Sequence, residues 1–225
     1  MHDPPPTKAT VLISGEGSNL QALIDASTTA MPYLNIIRVI SNKAKANGLN
    51  RAKAADIPTT YHNLISGKYY ASGEQDEEVK KAGREKYDAR LAEIVLEDQP
   101  DIVVCAGWMH ILTPQFLDPL EEKKIPIINL HPALPGKYDG KDAIKRAYDD
   151  YHKGKLEHDT TGIMIHYVVS EVDRGRPIVV RQIKCQTPET LEELSNRIHG
   201  QEHELILEGT AMAIHELWKE RSKQS

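Results

Sequence analysis

The chain has 225 residues, and 28 basic against 33 acidic side chains give it a formal net charge of −5. No run of Lys or Arg forms a basic face, so the composition argues against a nucleic-acid groove and favours a small-molecule ligand. The sequence contains no apolar stretch that approaches the roughly 18 residues of a membrane span, and it contains no secretory signal, so no membrane partner is expected.

Short β-branched runs alternate with longer amphipathic stretches along the chain. The runs predict strands near residues 9–14, 35–41, 59–63, 101–107, 125–131, 161–169 and 177–184. The amphipathic stretches predict helices near residues 18–27, 47–55, 74–98, 142–153 and 189–219. This alternation predicts an α/β fold with one mostly parallel open sheet and helices on both faces.

One domain is expected from the chain length, over residues 10–220, after a flexible proline-containing lead-in at residues 1–9. Its two cysteines are too few for a disulfide framework, and Cys105 lies in an apolar run where buried free thiols are common. We therefore expect a reducing environment and a cytoplasmic location. Ligands of open α/β sheets bind beyond the carboxyl ends of the strands, so residues 15–19, 107–112 and 129–139 should meet at one crevice.

The first predicted strand ends in a glycine turn, Gly15–Asn19, directly before a helix. A dinucleotide fingerprint is excluded because Leu20 replaces its third glycine and the second strand lacks a terminal acidic residue. No Gly-Lys pair is followed by Ser or Thr, which excludes a Walker A loop. The alternatives that remain are a simple tight turn and a phosphate-monoester site built from helix-start amides, the Ser18 hydroxyl and the Asn19 amide.

Asn129 and His131 stand two residues apart at the end of a buried strand, and therefore on one face of it. An amide beside an imidazole suits acyl transfer, because the amide can donate to an oxyanion and the imidazole can move protons or stabilise negative charge. The alternative is a histidine that satisfies loop carbonyls. Asp173 on a neighbouring loop favours catalysis, since a carboxylate there would raise the pKa of the histidine and fix its tautomer.

Four segments carry a family resemblance: "LISGEGSNLQALIDA", "PDIVVCAGWMHIL", "NLHPALPG" and "TTGIMIHYVVSEVDRGRPIV". Together they resemble the phosphoribosylglycinamide formyltransferases, which transfer a formyl group from 10-formyltetrahydrofolate to glycinamide ribonucleotide in purine synthesis. The resemblance extends from Thr10 to about Trp218. It implies a Rossmann-like formyltransferase fold, these two substrates as partners, and no metal. Monomer and homodimer both remain open.

The resemblance also implies roles for individual residues. The catalytic residues would be Asn129, His131 and Asp173. The substrate phosphate would be bound by Gly17, Ser18 and Asn19, and the ribose by His199, Gly200, Gln201 and Glu202. The folate would be bound by Arg84, Met109, His110, Ile111, Leu112, Val169, Ser170, Glu171 and Val172. The chain departs from the family pattern at Glu16, where a neutral residue is expected, and at Trp108, where a phenylalanine is expected.

Direct transfer is the mechanism this implies, with Asn129 and protonated His131 stabilising the oxyanion. Neither cysteine adjoins the motif, so no covalent formyl-enzyme is expected. Arg84 ends the apolar face of its predicted helix and needs an anion there, for which an intrahelical pair with Asp88 is the alternative to a substrate or folate contact.

Three competing functions follow from the sequence. Residues 199–203 read H-x-x-E-H, the pattern of an inverted zinc hydrolase, although only 22 residues follow it and Gly200 weakens the helix. A formyltetrahydrofolate hydrolase is the second, although such an enzyme usually carries an N-terminal regulatory domain, for which the expected single domain leaves no room. A non-enzymatic ribonucleotide-binding module is the third, and the convergence of Asn129, His131 and Asp173 argues against it.

Overall fold

In the computed structural model, which describes residues 4–223, seven strands form one sheet. The strands are β1 (Thr7–Ile13), β2 (Leu34–Ser41), β3 (Thr59–Tyr61), β4 (Ile102–Cys105), β5 (Ile127–His131), β6 (Thr160–Tyr167) and β7 (Pro177–Lys184). The helices are α1 (Ser18–Ser27), α2 (Asn47–Ala54), α3 (Glu77–Glu97), α4 (Pro114–Glu122), α5 (Ala143–His152) and α6 (Leu191–Ser222), with a short 3₁₀ turn at Glu157–Asp159.

The strand order across the sheet is β3-β2-β1-β4-β5-β6-β7. The first five strands are parallel, whereas β6 pairs antiparallel with both β5 and β7. The predicted α/β class and mostly parallel sheet are therefore confirmed. The order reverses between β1 and β4, and a crevice opens at such a switch point beyond the carboxyl ends of the strands.

Helices cover the sheet on both faces because side chains alternate along each strand. On β1, Val11 and Ile13 face a layer that includes α1 and α6, whereas Leu12 faces the layer of α3 and α4. β4 is buried along its whole length. β4, with the sequence IVVC, is apolar throughout for this reason.

Two predicted boundaries were wrong. The lead-in was predicted to extend to residue 9, but β1 begins at Thr7, which is fully buried and accepts a 2.8 Å hydrogen bond from Trp218 Nε1. Residues 1–3 of the predicted lead-in lie outside the described part of the chain. Helix α4 was not predicted, because Pro119 lies inside it and removes one backbone donor.

α4 forms despite Pro119 for two reasons. Pro114 occupies a first-turn position, where the missing amide costs nothing. Phe116, Leu117 and Leu120 are buried, so packing outweighs the poor propensity. In residues 4–223 no helix is both long enough and apolar enough to cross a membrane.

Candidate active site

A cleft of about 640 Å³ lies at the carboxyl ends of β1, β4 and β5. It is lined by Asn19, Cys105, Gly107–Leu112, Asn129–Pro132, Gly140–Lys145, His166, Val168–Ser170, Val172, Asp173, Leu191, Ser195, His199 and Glu202. The three segments expected to meet each contribute to it, although the third does so only through residues 129–132. Ser14 joins the first two segments, since its hydroxyl accepts from the Met109 amide at 2.9 Å and its amide donates to the Gly107 carbonyl at 3.0 Å.

The three predicted catalytic residues lie together at one end of the cleft. His131 Nδ1 is 3.3 Å from one carboxylate oxygen of Asp173. Nε2 of His131 is buried and has no hydrogen-bond partner among the described residues. Asn129 lies on the same face of β5, two residues earlier. The Asp173 carboxylate therefore orients the imidazole of His131, and Nε2 of that ring is left to contact a ligand.

The charge state of His131 differs from the prediction. Burial lowers the pKa of His131, and the opposing effects of the Asp173 charge and of a hydrogen bond to the Lys137 backbone do not restore it. Asp173 therefore acts on this pKa in the predicted direction, but the net shift is downward because the ring is only 3% exposed. The lowered pKa favours a neutral His131 ring near neutral pH, in contrast to the protonated ring expected from the sequence.

Asp173 is itself strongly held. Burial raises its pKa, but the contact with His166 and the hydrogen bond from the Gly140 amide outweigh burial and leave the pKa lowered. The Gly140 amide donates to the Asp173 carboxylate at 2.8 Å. The Asp173 backbone has a φ of 56°, a left-handed conformation that aspartate tolerates better than most residues. Gly175 then passes so close to the Tyr167 carbonyl that any Cβ would overlap it.

His166 is a site residue that the sequence analysis missed. Its Nε2 lies 3.3 Å from Asn129 Nδ2 and 3.4 Å from Asp173 Oδ1, and its Nδ1 donates to the Tyr167 carbonyl at 2.9 Å. His166 thus connects the amide and the carboxylate of the predicted trio. The available signal was the register of β5 and β6, in which Asn129 pairs with His166, but that requires knowing the antiparallel pairing.

The predicted phosphate turn adopts the geometry that its glycines permit. Gly17 caps α1 with a φ of 75°, and a Cβ at this position would lie 2.5 Å from the Cα of Gly48. The turn makes no side-chain cap to α1, so the first amides of the helix stay free for a ligand. Of the predicted phosphate residues, Asn19 lines the cleft, whereas Gly17 and Ser18 lie just outside it.

α6 supplies the wall next to the turn. Glu202 is buried, and its carboxylate accepts from Asn19 Nδ2 at 3.1 Å. His199 also lines the cleft, but the predicted Gly200 and Gln201 do not. Within residues 4–223, no group of three or more His, Cys, Asp or Glu side chains is placed to hold a metal ion, and the zinc-hydrolase alternative gains no support.

The predicted folate wall is apolar and partly exposed. Met109 and Ile111 are 67% and 60% exposed, unusual for large apolar side chains, and Val169 lies across from them in the same cleft. Exposed apolar groups around a cleft are typical of a site for a flat, largely apolar ligand. Leu112, Ser170 and Val172 also line the cleft, but Glu171 does not.

His110 is the titratable group in this wall. Its ring packs edge-to-face on Trp108 and Tyr87. Burial lowers the pKa of His110 to about 4, and the charges of Arg84, Lys141 and Lys43 act in the same direction. His110 therefore presents a neutral aromatic ring to a ligand.

Arg84 does not line the cleft. Its Nε lies 3.4 Å from the buried Asp88, which is the intrahelical pair considered as the alternative, and its Nη2 donates to the Ile111 carbonyl. Asp88 also accepts from the Thr113 amide at 2.8 Å. The pair therefore anchors the loop at residues 109–113, and a folate contact by Arg84 stays a prediction.

These features define a class: an α/β protein whose small-molecule cleft, at the switch point of the sheet, carries an amide, an imidazole and a carboxylate suited to acyl transfer. The chain belongs to the formyl transferase family, whose model matches residues 7–210.

The relatives are consistent with that class. The chain is 46% identical to phosphoribosylglycinamide formyltransferase from Schizosaccharomyces pombe, over 92% of this chain and 95% of that protein. The same-named protein of Saccharomyces cerevisiae is 42% identical, over 93% and 98%. The crystal structure of phosphoribosylglycinamide formyltransferase from Bacillus halodurans matches with a TM-score of 0.73 at 28% identity, over 93% and 94% of the two chains. The resemblance identified from the sequence is confirmed.

Proposed function

We propose that this chain transfers the formyl group of 10-formyltetrahydrofolate to the amine of glycinamide ribonucleotide. The observation that carries the proposal is the unpartnered Nε2 of His131, held beside Asn129 and Asp173 between a phosphate-type turn and an apolar wall. The formyl donor of the family is assigned as this folate because a flat apolar ligand suits the wall at residues 108–112. The cytoplasmic location stays a prediction.

The two substrates occupy opposite halves of the cleft. The amides at the start of α1 bind the ribonucleotide phosphate, and Asn19, Glu202 and His199 lie where the ribose hydroxyls follow. Residues 108–112, 168–170 and 172 hold the folate. The amine and the formyl carbon then meet at Asn129 and His131, between the halves.

Neutral His131 acts as the base. The amine attacks the formyl carbon, a C–N bond forms, and the carbonyl electron pair moves onto oxygen. His131 Nε2 takes one proton from the attacking nitrogen, and Asp173 stabilises the imidazolium that forms. When the bond to the folate nitrogen breaks, the same proton passes to that nitrogen, which balances the reaction without a covalent enzyme intermediate.

Asn129 stabilises the oxyanion. Its Nδ2 is directed by His166, which leaves the second amide hydrogen free to donate to the developing negative charge. A preorganised donor of this kind loses no reorganisation energy during the reaction. His166 is the positioning residue for this amide.

One assay separates the candidate functions. Formation of tetrahydrofolate from 10-formyltetrahydrofolate is measured with and without glycinamide ribonucleotide. Product that depends on the ribonucleotide, together with formylated ribonucleotide, supports the transferase. Product formed at the same rate without it indicates a hydrolase, and no product in either case indicates a binding module.

His131→Ala should lower kcat by roughly 10²–10⁴-fold while changing both KM values little, because the imidazole acts in the transition state. His158→Ala is the matched control, since His158 is exposed on the 3₁₀ turn and does not line the cleft. Near-wild-type turnover of His131→Ala would refute the assignment.

A further inference from the structure

The glycine turn carries a charge pair that the reaction described above does not use. Oε1 of Glu16 lies 2.7 Å from Asn47 Nδ2 and 2.7 Å from Arg51 Nη2. Arg51 Nε also donates to the Glu16 carbonyl at 2.9 Å. The guanidinium is thereby held beside the turn, and Cδ of Arg51 lies 3.5 Å from the position that a Cβ on Gly17 would occupy.

A second, independent feature of this turn indicates a ligand. Asn19 is 7% exposed and its Nδ2 is used by Glu202, but its Oδ1 is buried with no hydrogen-bond partner among the described residues. A buried oxygen of this kind needs a donor. Because Asn19 lines the cleft, the ligand that fits has donor groups, such as sugar hydroxyls, close to the anion at the helix start.

We infer that Arg51 is the cation of the phosphate site and that Glu16 competes with the phosphate monoester for it. This inference rests on the proposed function, since it identifies the counter-charge of the ribonucleotide phosphate. An arginine offers several donors in a planar fork that matches phosphate geometry. In the structure Glu16 and Gln21 contact that fork, and in the complex the phosphate replaces the Glu16 carboxylate.

The pair is built to exchange in this way. The Glu16 side chain is 67% exposed and that of Arg51 is 29% exposed, so the contact is a solvent-screened one that opens at small cost. Hydrogen bonds from Asn47 and Arg51 lower the pKa of Glu16, which is therefore charged near neutral pH and repels a phosphate dianion. Asn47 remains to hold the carboxylate after Arg51 has moved to the ligand.

Competition predicts effects of opposite sign for the two partners. Arg51→Gln should raise the KM for glycinamide ribonucleotide about tenfold or more, because a charge-assisted contact to the phosphate is lost. Glu16→Gln should lower that KM about threefold, because a competitor and a repelling charge are removed. Neither change should alter the KM for the folate. Binding of ribose 5-phosphate, measured by calorimetry, should follow the same two directions.

Arg181 and Glu204 provide the matched control. Their ion pair, 2.9 Å long, has side-chain exposures of 29% and 76%, close to those of the Arg51 pair, and Arg181 lies on the edge strand β7, four strands away from β1. Arg181→Gln and Glu204→Gln should leave both affinities unchanged. If Glu16→Gln and Arg51→Gln weaken ribose 5-phosphate binding alike, the pair is only a structural brace and the inference is wrong. Opposite effects on ribose 5-phosphate without any formyl transfer would support Arg51 and reject the proposed function.

Discussion

Asp173 determines the charge balance of the cleft. Its carboxylate lies within 3.3 Å of His131 and 3.4 Å of His166 and accepts from the Gly140 amide. Its loop is tied to the preceding one because Arg174 Nε donates to Asp139 at 2.7 Å. A carboxylate with this many fixed partners can orient one imidazole and stabilise its protonated form when the reaction creates it.

Asp173→Asn tests this role at the scale of one residue. The variant removes the negative charge that opposes the effect of burial, so the pKa of His131, already lowered, should fall further. NMR titration of the His131 ring in both proteins measures the change, and kcat should fall by about tenfold or more because the imidazolium loses its partner.

Glu171→Gln is the control, because Glu171 is exposed on the same loop and does not line the cleft. It should leave both the titration of His131 and kcat unchanged. An unaltered His131 pKa with full activity in Asp173→Asn would mean that the carboxylate only holds its loop.

At the scale of an element, the β1–α1 turn contains two glycines, and only Gly17 cannot be replaced without strain. Gly17→Val should raise the KM for glycinamide ribonucleotide strongly, by roughly tenfold or more. The new side chain conflicts with a φ of 75° and lies 2.5 Å from the Gly48 Cα. Folate binding should be largely kept, because that half of the cleft is built by other loops.

Gly15→Ala separates local strain from misfolding. A Cβ at Gly15 meets no atom within 4 Å, so this variant should unfold at the wild-type temperature. Calorimetric titration of Gly17→Val with the ribonucleotide and with the folate measures the two binding affinities separately. Equal loss of both ligands would indicate global damage and leave the phosphate assignment without support.

Local patterns predicted the elements that depend on local physics. The apolar runs of β4 and β5 and the glycine turn before α1 are strong signals, and the structure has all three where they were expected. α4 was missed because a local rule, the cost of Pro119, was outweighed by burial of three apolar side chains.

The candidate site was predictable only where one strand carries it. Asn129 and His131 share a face of β5, so period-two alternation brings them together. His166 joins them through antiparallel pairing of β5 and β6, which sequence alternation does not reveal. Arg84 shows a different limit of local patterns. Its position on α3 and its need for an anion were predicted correctly, but the choice between a ligand and Asp88 was left open, and the structure places Arg84 beside Asp88 on the same helix.

At the scale of the whole molecule, the cleft depends on contacts between distant parts of the chain. Asn19 and Glu202, which are hydrogen-bonded to each other in its wall, are 183 residues apart in the sequence, and Thr7 contacts Trp218 across 211 residues. Such a site forms only when the sheet and α6 are both in place. Global stability and an intact cleft should therefore be lost together.

Buried histidines make that stability depend on pH. Burial lowers the pKa of His110 to about 4, assisted by the charge of Arg84, and burial also lowers the pKa of His131 and of His62. In the unfolded chain the pKa of a histidine is about 6.5. Between about pH 4 and pH 6.5 the unfolded state binds protons that the folded state does not bind. The unfolding free energy is therefore fully present above about pH 6.5 and declines as the pH falls toward about 4.

His110→Asn tests this dependence. The His110 contribution should be about 1–2 kcal/mol between roughly pH 7 and pH 5, reduced from the full linkage value because solvent reaches the loop. Urea denaturation at both pH values should show a smaller loss of unfolding free energy for His110→Asn than for the wild type. His158→Asn, which changes an exposed histidine, should lose as much as the wild type. If His110→Asn loses stability to the same extent as these two proteins, the neutral ring of His110 is not what links folding to pH.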